Sequence, residues 1–163
     1  MPDVLDPLLD RLRDRVASFG DFSAQAAACR LAERRFSSLG ESLGAGAQNR
    51  YVGSLQGYGE RLARASLSEL PAGRFAFRDC LDGDGQGSED IVIQVELGIQ
   101  QGEVTVDFSG TAGQVPVNLN CPLPVTAAAV FYVLRCLMPA QVPCCDGAMR
   151  GIRLKAPAGC LVN

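Results

Sequence analysis

Four short stretches of this chain carry side chains able to do chemistry. The first is Asp82-Gly83-Asp84-Gly85-Gln86-Gly87-Ser88-Glu89-Asp90. Acidic residues at its first, third and ninth positions and a glycine at the sixth half-match a calcium-binding loop. The twelfth position of such a loop supplies a bidentate Glu; here it is Ile93, inside a segment that reads as strand. The simpler reading is a solvated hairpin loop, with Gly and Asp supplying the turn conformations. The second stretch, Asp107-Phe108-Ser109-Gly110-Thr111, ends a strand. Small hydroxyl residues around a glycine can present backbone N–H groups to an anion, although the same string is also an ordinary turn. The third is Asn118-Leu119-Asn120-Cys121-Pro122. Two Asn side chains can bind polar ligand groups or tie down their own loop. The fourth is Arg150, able to pair a carboxylate or phosphate, or to join a surface ion pair. Asp107, Ser109, Thr111, Asn118, Asn120 and Arg150 are therefore the candidate ligand-binding residues; no catalytic residue and no metal site is assigned.

The chain contains no histidine. That removes the commonest general base, metal ligand and triad partner together. Cys121 then lacks the usual partner that would activate a nucleophilic thiol. No Walker loop, dinucleotide fingerprint or zinc motif is present. Net charge is −3 with no basic stripe, which argues against a nucleic-acid partner. The longest apolar run, Val125 to Met138, is interrupted by Arg135 and is shorter than the roughly 20 residues a membrane span needs. No signal-like apolar segment precedes it. The seven cysteines include no CxxC, and Cys144 and Cys145 are adjacent. They read as reduced, cytoplasmic thiols packed as small hydrophobes.

The elements that must position these residues fall into two regions, 1–72 and 73–163, expected to form one structural unit. In the first, Val4, Leu5, Leu8, Leu9, Leu12 and Val16 make one helical stripe. Gly20 is expected to break it, with Asp21 or Ser23 capping an Ala-rich second helix. Gly44 and Gly46 mark a loop. A third helix is predicted from about Gln48 to Glu69, on the spacing of Tyr51, Leu55, Tyr58 and Leu62.

In the second region the period changes to two. Phe75 and Phe77, then Ile91 to Ile99, then Val104 to Phe108, each alternate with polar neighbours, as strands with one buried face do. Cys80 to Asp90 is expected to be the loop between the first two, and Gln101-Gly102 the hairpin turn between the last two. A helix over Val125–Met138 is apolar all round and so is predicted to be buried. A short strand, Ile152 to Lys155, follows. The fold class is α+β: an N-terminal helical hairpin or bundle, an antiparallel β-meander, a buried helix and a short C-terminal strand.

Taken in order, these segments resemble the hydantoinase B / 5-oxoprolinase family. Gly20-Asp21-Phe22-Ser23-Ala24-Gln25-Ala26-Ala27 is similar to the family's GDLxAQxAA, and Leu70-Pro71-Ala72-Gly73-Arg74-Phe75 to its LPxGxY. Asp79-Cys80-Leu81-Asp82-Gly83-Asp84-Gly85, Val106 to Thr111 with Gln114-Val115, Asn120 to Thr126, and Tyr132-Val133-Leu134-Arg135 continue the match. It closes with Val142-Pro143, Gly147, Arg150, Ile152 and Pro157 to Asn163. Val117, Cys145, Asp146 and Gly151 depart from the family pattern. The resemblance implies part of an N-methylhydantoinase-type subunit, expected to be an internal fragment. Such subunits serve ATP-dependent hydrolytic opening of cyclic amides together with an A-type partner, which uses ATP to activate the lactam carbonyl. The fragment is expected to be inactive alone and to carry no cofactor of its own, with ATP and a divalent metal belonging to the full complex. Its expected partners are the remainder of its own subunit, the A-type subunit or domain, and a small lactam. Two alternatives remain: part of an acetone or acetophenone carboxylase-type subunit, or a non-catalytic scaffold and interaction module.

Overall fold

The computed structural model describes residues 2–163, with side chains described for all of them but residues 2, 3 and 45. Met1, the first residue of the expected helical region, lies outside the described residues. Two compact units follow one another along the chain, Met1–Val52 and Gly53–Asn163.

The first unit holds α1 (Pro2–Leu9), α2 (Arg15–Leu43) and the start of α3 (Ala45–Leu67). The single stripe expected over Val4–Val16 is split. α1 ends at Leu9, and Asp14 caps α2 in an extended conformation, its carboxylate accepting from the Ala17 N–H at 2.9 Å. The cap is thus Asp14, not Asp21 or Ser23. Gly20 lies within α2 rather than ending a helix. One internal glycine costs about 1 kcal/mol relative to Ala, a penalty that the run of alanines after it outweighs. α2 ends at Gly44, whose φ of +80° is readily adopted by glycine. The loop expected over Gly44–Gly46 is reduced to that one residue, because α3 starts at Ala45. Gln48 reaches back to α2 and donates to the Phe36 carbonyl at 3.1 Å.

The second unit holds the rest of α3 and a four-stranded sheet in the order β1-β2-β3-β4: β1 (Gly73–Gly83), β2 (Glu89–Gln100), β3 (Glu103–Asp107) and β4 (Ile152–Lys155). β1, β2 and β3 form the expected antiparallel meander, and β4 joins β3 in parallel. Between β3 and β4 come α4 (Leu123–Leu137) and a short 3-10 turn, Asp146–Met149. Gln101 and Gly102 both take positive φ, 51° and 77°. That is the twist a two-residue hairpin turn requires. The loop expected over Cys80–Asp90 is shorter than anticipated. β1 runs on to Gly83 and β2 starts at Glu89, because Leu81 pairs with Ile91 across the ladder.

Alternation along the strands sends Val104, Val106 and Ile152 to one face. There they pack with Ala63 and Leu67 of α3, Leu134 and Met138 at the end of α4, and Val142 and Ala148. Each large side chain so buried contributes about 1.5–3 kcal/mol. α4 is not buried all round as its composition suggested. Thr126 and Leu134 are buried, while Val125, Tyr132, Val133 and Leu137 stay more than half exposed. Apolar character on every side shows that a helix can be buried; a neighbour decides which side is.

Two glycines let α3 sit directly on backbone. A Cβ on Gly147 would run into the Gln56 carbonyl, and one on Gly102 into the Arg64 carbonyl. Gly59 of α3 leaves room for the Cys145 sulfur, 2.7 Å from where its own Cβ would lie.

Candidate functional site

The face of the sheet opposite the core is polar. Register places Arg74 beside Gly98, Glu96 beside Asp107, Gly98 beside Thr105, and Asp107 beside Lys155. Gly98 puts no side chain between Arg74 and Thr105. A broad groove of about 1020 Å³ opens here, bordered among others by Arg64, Arg74, Glu96, Glu103, Thr105 and Asp107. It offers two guanidinium groups and three carboxylates to a polar ligand.

Asp107 is the one sequence-predicted candidate that borders this groove. It ends β3, accepts from the Ser109 N–H at 2.8 Å, and pairs with Lys155 Nζ at 2.9 Å. The Ser109 hydroxyl, then Lys155, then the Ser109 N–H lower its pKa to about 2. A carboxylate so stabilised is a fixed negative charge and a poor proton acceptor near neutral pH.

Ser109 is exposed in the turn that follows. Thr111 is engaged with the sheet: its hydroxyl accepts from the Gln94 N–H at 3.1 Å and donates to the Gln94 carbonyl at 2.9 Å. Asn120 ties its own loop. Its Oδ1 accepts from the Val115 N–H at 2.9 Å, and its Nδ2 donates to the carbonyls of Val115 at 2.7 Å and Val117 at 3.3 Å. Asn118 is exposed on the same turn. The C-terminal segment stitches these loops together: Leu161 N–H donates to the Ala112 carbonyl at 2.8 Å, and Cys121 N–H to the Leu161 carbonyl at 2.7 Å. The buried Thr126 hydroxyl adds a bond to the Val162 carbonyl at 2.8 Å.

Arg150 belongs to a different neighbourhood. It pairs with Glu60 at 3.3 Å and Asp146 at 3.4 Å. Glu60 also holds Arg64 at 3.2 Å, Arg64 holds Glu103 at 3.0 Å, and Glu103 meets Arg153 at 3.5 Å. The result is a continuous ladder of alternating charge from Asp146 to Arg153, linking α3 to β3, β4 and the 3-10 turn. Hydrogen bonds from Arg64 and Arg150 lower the pKa of Glu60, and the Arg64 bond lowers that of Glu103. Sequence reasoning missed this network, although the Glu60–Arg64 spacing of four on a helix was its visible sign. Arg150 also borders a smaller cleft of about 450 Å³ with Phe131, Cys144, Cys145, Asp146 and Met149.

The half-match to a calcium loop becomes a hairpin turn. Asp84 turns its carboxylate inward, accepting from the N–H groups of Gln86 at 2.8 Å and Ser88 at 3.0 Å. Among the described residues no group of three or more His, Cys, Asp or Glu is placed to hold a metal ion. All seven cysteines are free thiols, but Cys160 alone is buried, and Cys29, Cys80, Cys136 and Cys144 are exposed rather than packed as small hydrophobes. No helix among the described residues is long and apolar enough to cross a membrane.

Comparison with known proteins fits this arrangement. A protein assigned as the B-type subunit of a D-/L-hydantoinase in Pseudomonas sp. (strain NS671) is 31% identical over 98% of this chain and 29% of its own length. The 5-oxoprolinase 1 of Arabidopsis thaliana is 29% identical over 94% of this chain and 13% of its own length. The crystal structure of the ATP-dependent caprolactamase from Pseudomonas jessenii superposes with a TM-score of 0.83 at 28% identity, covering 99% of this chain and 28% of that one. The chain thus spans less than a third of the length of these relatives. The family described as Hydantoinase B/oxoprolinase matches residues 1–163 from end to end, and the chain belongs to that family.

Proposed function

We propose that this chain is a section of an ATP-dependent cyclic-amide hydrolase, in which it forms a wall of a B-type subunit and positions polar groups rather than breaking bonds. The observation that carries the reading is the likeness to the caprolactamase, which extends over 99% of the chain and includes its sequence as well as its fold. That relative and the 5-oxoprolinase both bear names of enzymes acting on lactams. An amide carbonyl is a poor electrophile until its oxygen is converted into a leaving group, which is what ATP would supply. Neither a glycine-rich phosphate loop nor a metal-ligand set is offered by the described residues. We therefore assign the ATP step, and any divalent metal, to an A-type partner or to the remainder of the subunit. The free thiols suit a reducing compartment, and we place the protein in the cytoplasm.

Within the chain, Asp107 is the candidate we retain for ligand or partner contact, through the groove it borders with Arg64 and Arg74. We assign Thr111, Asn120 and Arg150 to holding the loops and α3 in place, because their polar atoms are already engaged. Asn118 remains available to a ligand by exposure, whereas the exposed Ser109 already gives its hydroxyl and N–H to Asp107. The test is to supply the chain, with and without an A-type subunit, with ATP and a hydantoin, 5-oxoproline or caprolactam, and to follow ring opening and phosphate release. We expect no ring opening by the chain alone. Lactam hydrolysis by the isolated chain would defeat the proposal.

A further inference from the structure

We propose that the free edge of β1 pairs with the β1 edge of a second copy of this chain, about a two-fold axis at Arg78, to give one continuous sheet. β1 ends the strand order among the described residues, and all eleven of its residues are exposed. A long edge of unpaired backbone groups is a template for strand addition. Its odd-numbered residues lie on the core side, since Phe75 pairs with Leu97, Phe77 with Val95 and Leu81 with Ile91. Those partners on β2 are at least partly covered, yet Phe75, Phe77 and Leu81 remain 45%, 66% and 37% exposed. The apolar face thus runs on to β1 without a cover. On the edge, the Cys80 N–H donates to the Asp79 carboxylate at 2.9 Å, a local substitute for a ladder bond.

Charge and the length of strand paired together choose the register. A two-fold axis normal to the sheet keeps each face on its own side, so it passes through a residue. An axis at Ala76 sets Arg74 against Arg78 twice, which repels. An axis at Phe77 makes no opposite-charge pair and sets Phe75 against Asp79 twice. An axis at Asp79 makes no opposite-charge pair and opposes Asp79 to itself. An axis at Cys80 sets Arg78 opposite Asp82 twice, but it pairs only residues 77–83 and leaves Phe75 and Arg74 without a partner. An axis at Arg78 pairs the strand from end to end, with Arg74 opposite Asp82 twice and Phe75 opposite Leu81 twice. Its costs are one Arg78–Arg78 apposition, between long side chains able to splay apart, and Phe77 opposite Asp79 twice. Arg74 is free to turn, because its present pair with Glu96 is at the surface, where such pairs contribute little.

Sedimentation velocity on the full chain across the micromolar range tests this. The wild type is expected to show a monomer–dimer equilibrium. Arg74→Asp and Asp82→Arg should each weaken association by about tenfold, and the double exchange should restore it to within about threefold. Amide hydrogen exchange gives a second reading free of any variant's folding: protection along residues 74–82 should rise with concentration. A chain that stays monomeric overturns the proposal. So do a dimer indifferent to both single exchanges, a double exchange that fails to restore pairing, and β1 protection that appears only when another polypeptide of the complex is added.

Discussion

α2 and β3 are both regular elements, yet they use their apolar side chains in opposite ways. Across the 29 residues of α2 no side chain is buried, and Val16, Phe19, Leu31, Phe36, Leu39 and Leu43 stand exposed. β3 has five residues and buries Val104 and Val106 almost completely. The difference separates two sources of order. α2 follows from local terms: an aspartate cap, a run of alanines and a closing glycine at positive φ. β3 follows from burial, with a helix behind it and a strand on either side. The polar groove is built on β3 and its neighbours, strands held in place by the core packed on their other face. α2 leaves its larger apolar side chains open to solvent, where β3 covers its own.

The largest effect that should sharpen this contrast is truncation of a core side chain. Leu67 is 1% exposed and packs in the cluster around β3. Leu67→Ala should destabilise by about 2–5 kcal/mol. Phe19→Ala, at a position 53% exposed in α2, should change stability by under about 0.5 kcal/mol. Urea denaturation followed by circular dichroism measures both. Comparable losses at the two sites would mean that the two elements are not ordered by different forces.

Next come the glycines on which α3 rests. Gly147→Ala drives a methyl group into the Gln56 carbonyl. Gly102→Ala meets the Arg64 carbonyl and also forces Ala into a φ of +77°. Each should cost about 1–3 kcal/mol. Gly20→Ala in α2, where a Cβ meets nothing within 4 Å, should instead stabilise by up to about 1 kcal/mol. The opposite signs at glycines of the two regions are the sharper part of the prediction, read from the midpoints of the same urea curves.

These glycines also show how far the sequence could be read. α3, the strand pattern and the Gln101-Gly102 turn were legible, because spacing and turn chemistry act locally. Gly20 was misread as a breaker, since a glycine looks the same in sequence whether it ends a helix, sits inside one or admits a neighbour's carbonyl. The apolar α4 was expected to be buried on every side, but only its neighbours determine which side they cover. Of the candidate site, residue types were legible and their employment was not. Asn120 looks the same in sequence whether it binds a ligand or its own loop, and Arg150 shows nothing of Glu60, ninety positions earlier. The ladder from Asp146 to Arg153 is assembled from four separate elements, and only its Glu60–Arg64 step lies within one helix.

A smaller effect separates the two asparagines. Asn120→Ala removes the bonds to Val115 and Val117 in the turn before α4. It should lower stability by about 1 kcal/mol. Asn118→Ala, two residues away and exposed, should change it by under about 0.5 kcal/mol. If Asn118 proves the costlier position, the loop is held in some other way.

The smallest effect concerns charge at the groove. The Ser109 hydroxyl and Lys155 hold Asp107 at a pKa of about 2, below its ordinary 3.8. A depressed carboxyl pKa adds stability that is present in full above the unfolded value and is lost as pH falls through the folded one. The contribution of Asp107 should therefore be constant above about pH 4 and decline between there and about pH 2. Asp107→Asn should be less stable than wild type at neutral pH, with the gap closing across that acid window. The surface position of the Lys155 pair keeps the gap modest, and added salt should narrow it further. A gap that widens on acidification would show that the folded protein raises the Asp107 pKa. In that case the groove would hold a proton donor in place of a fixed negative charge, and Asp107 would become a candidate for acid–base work.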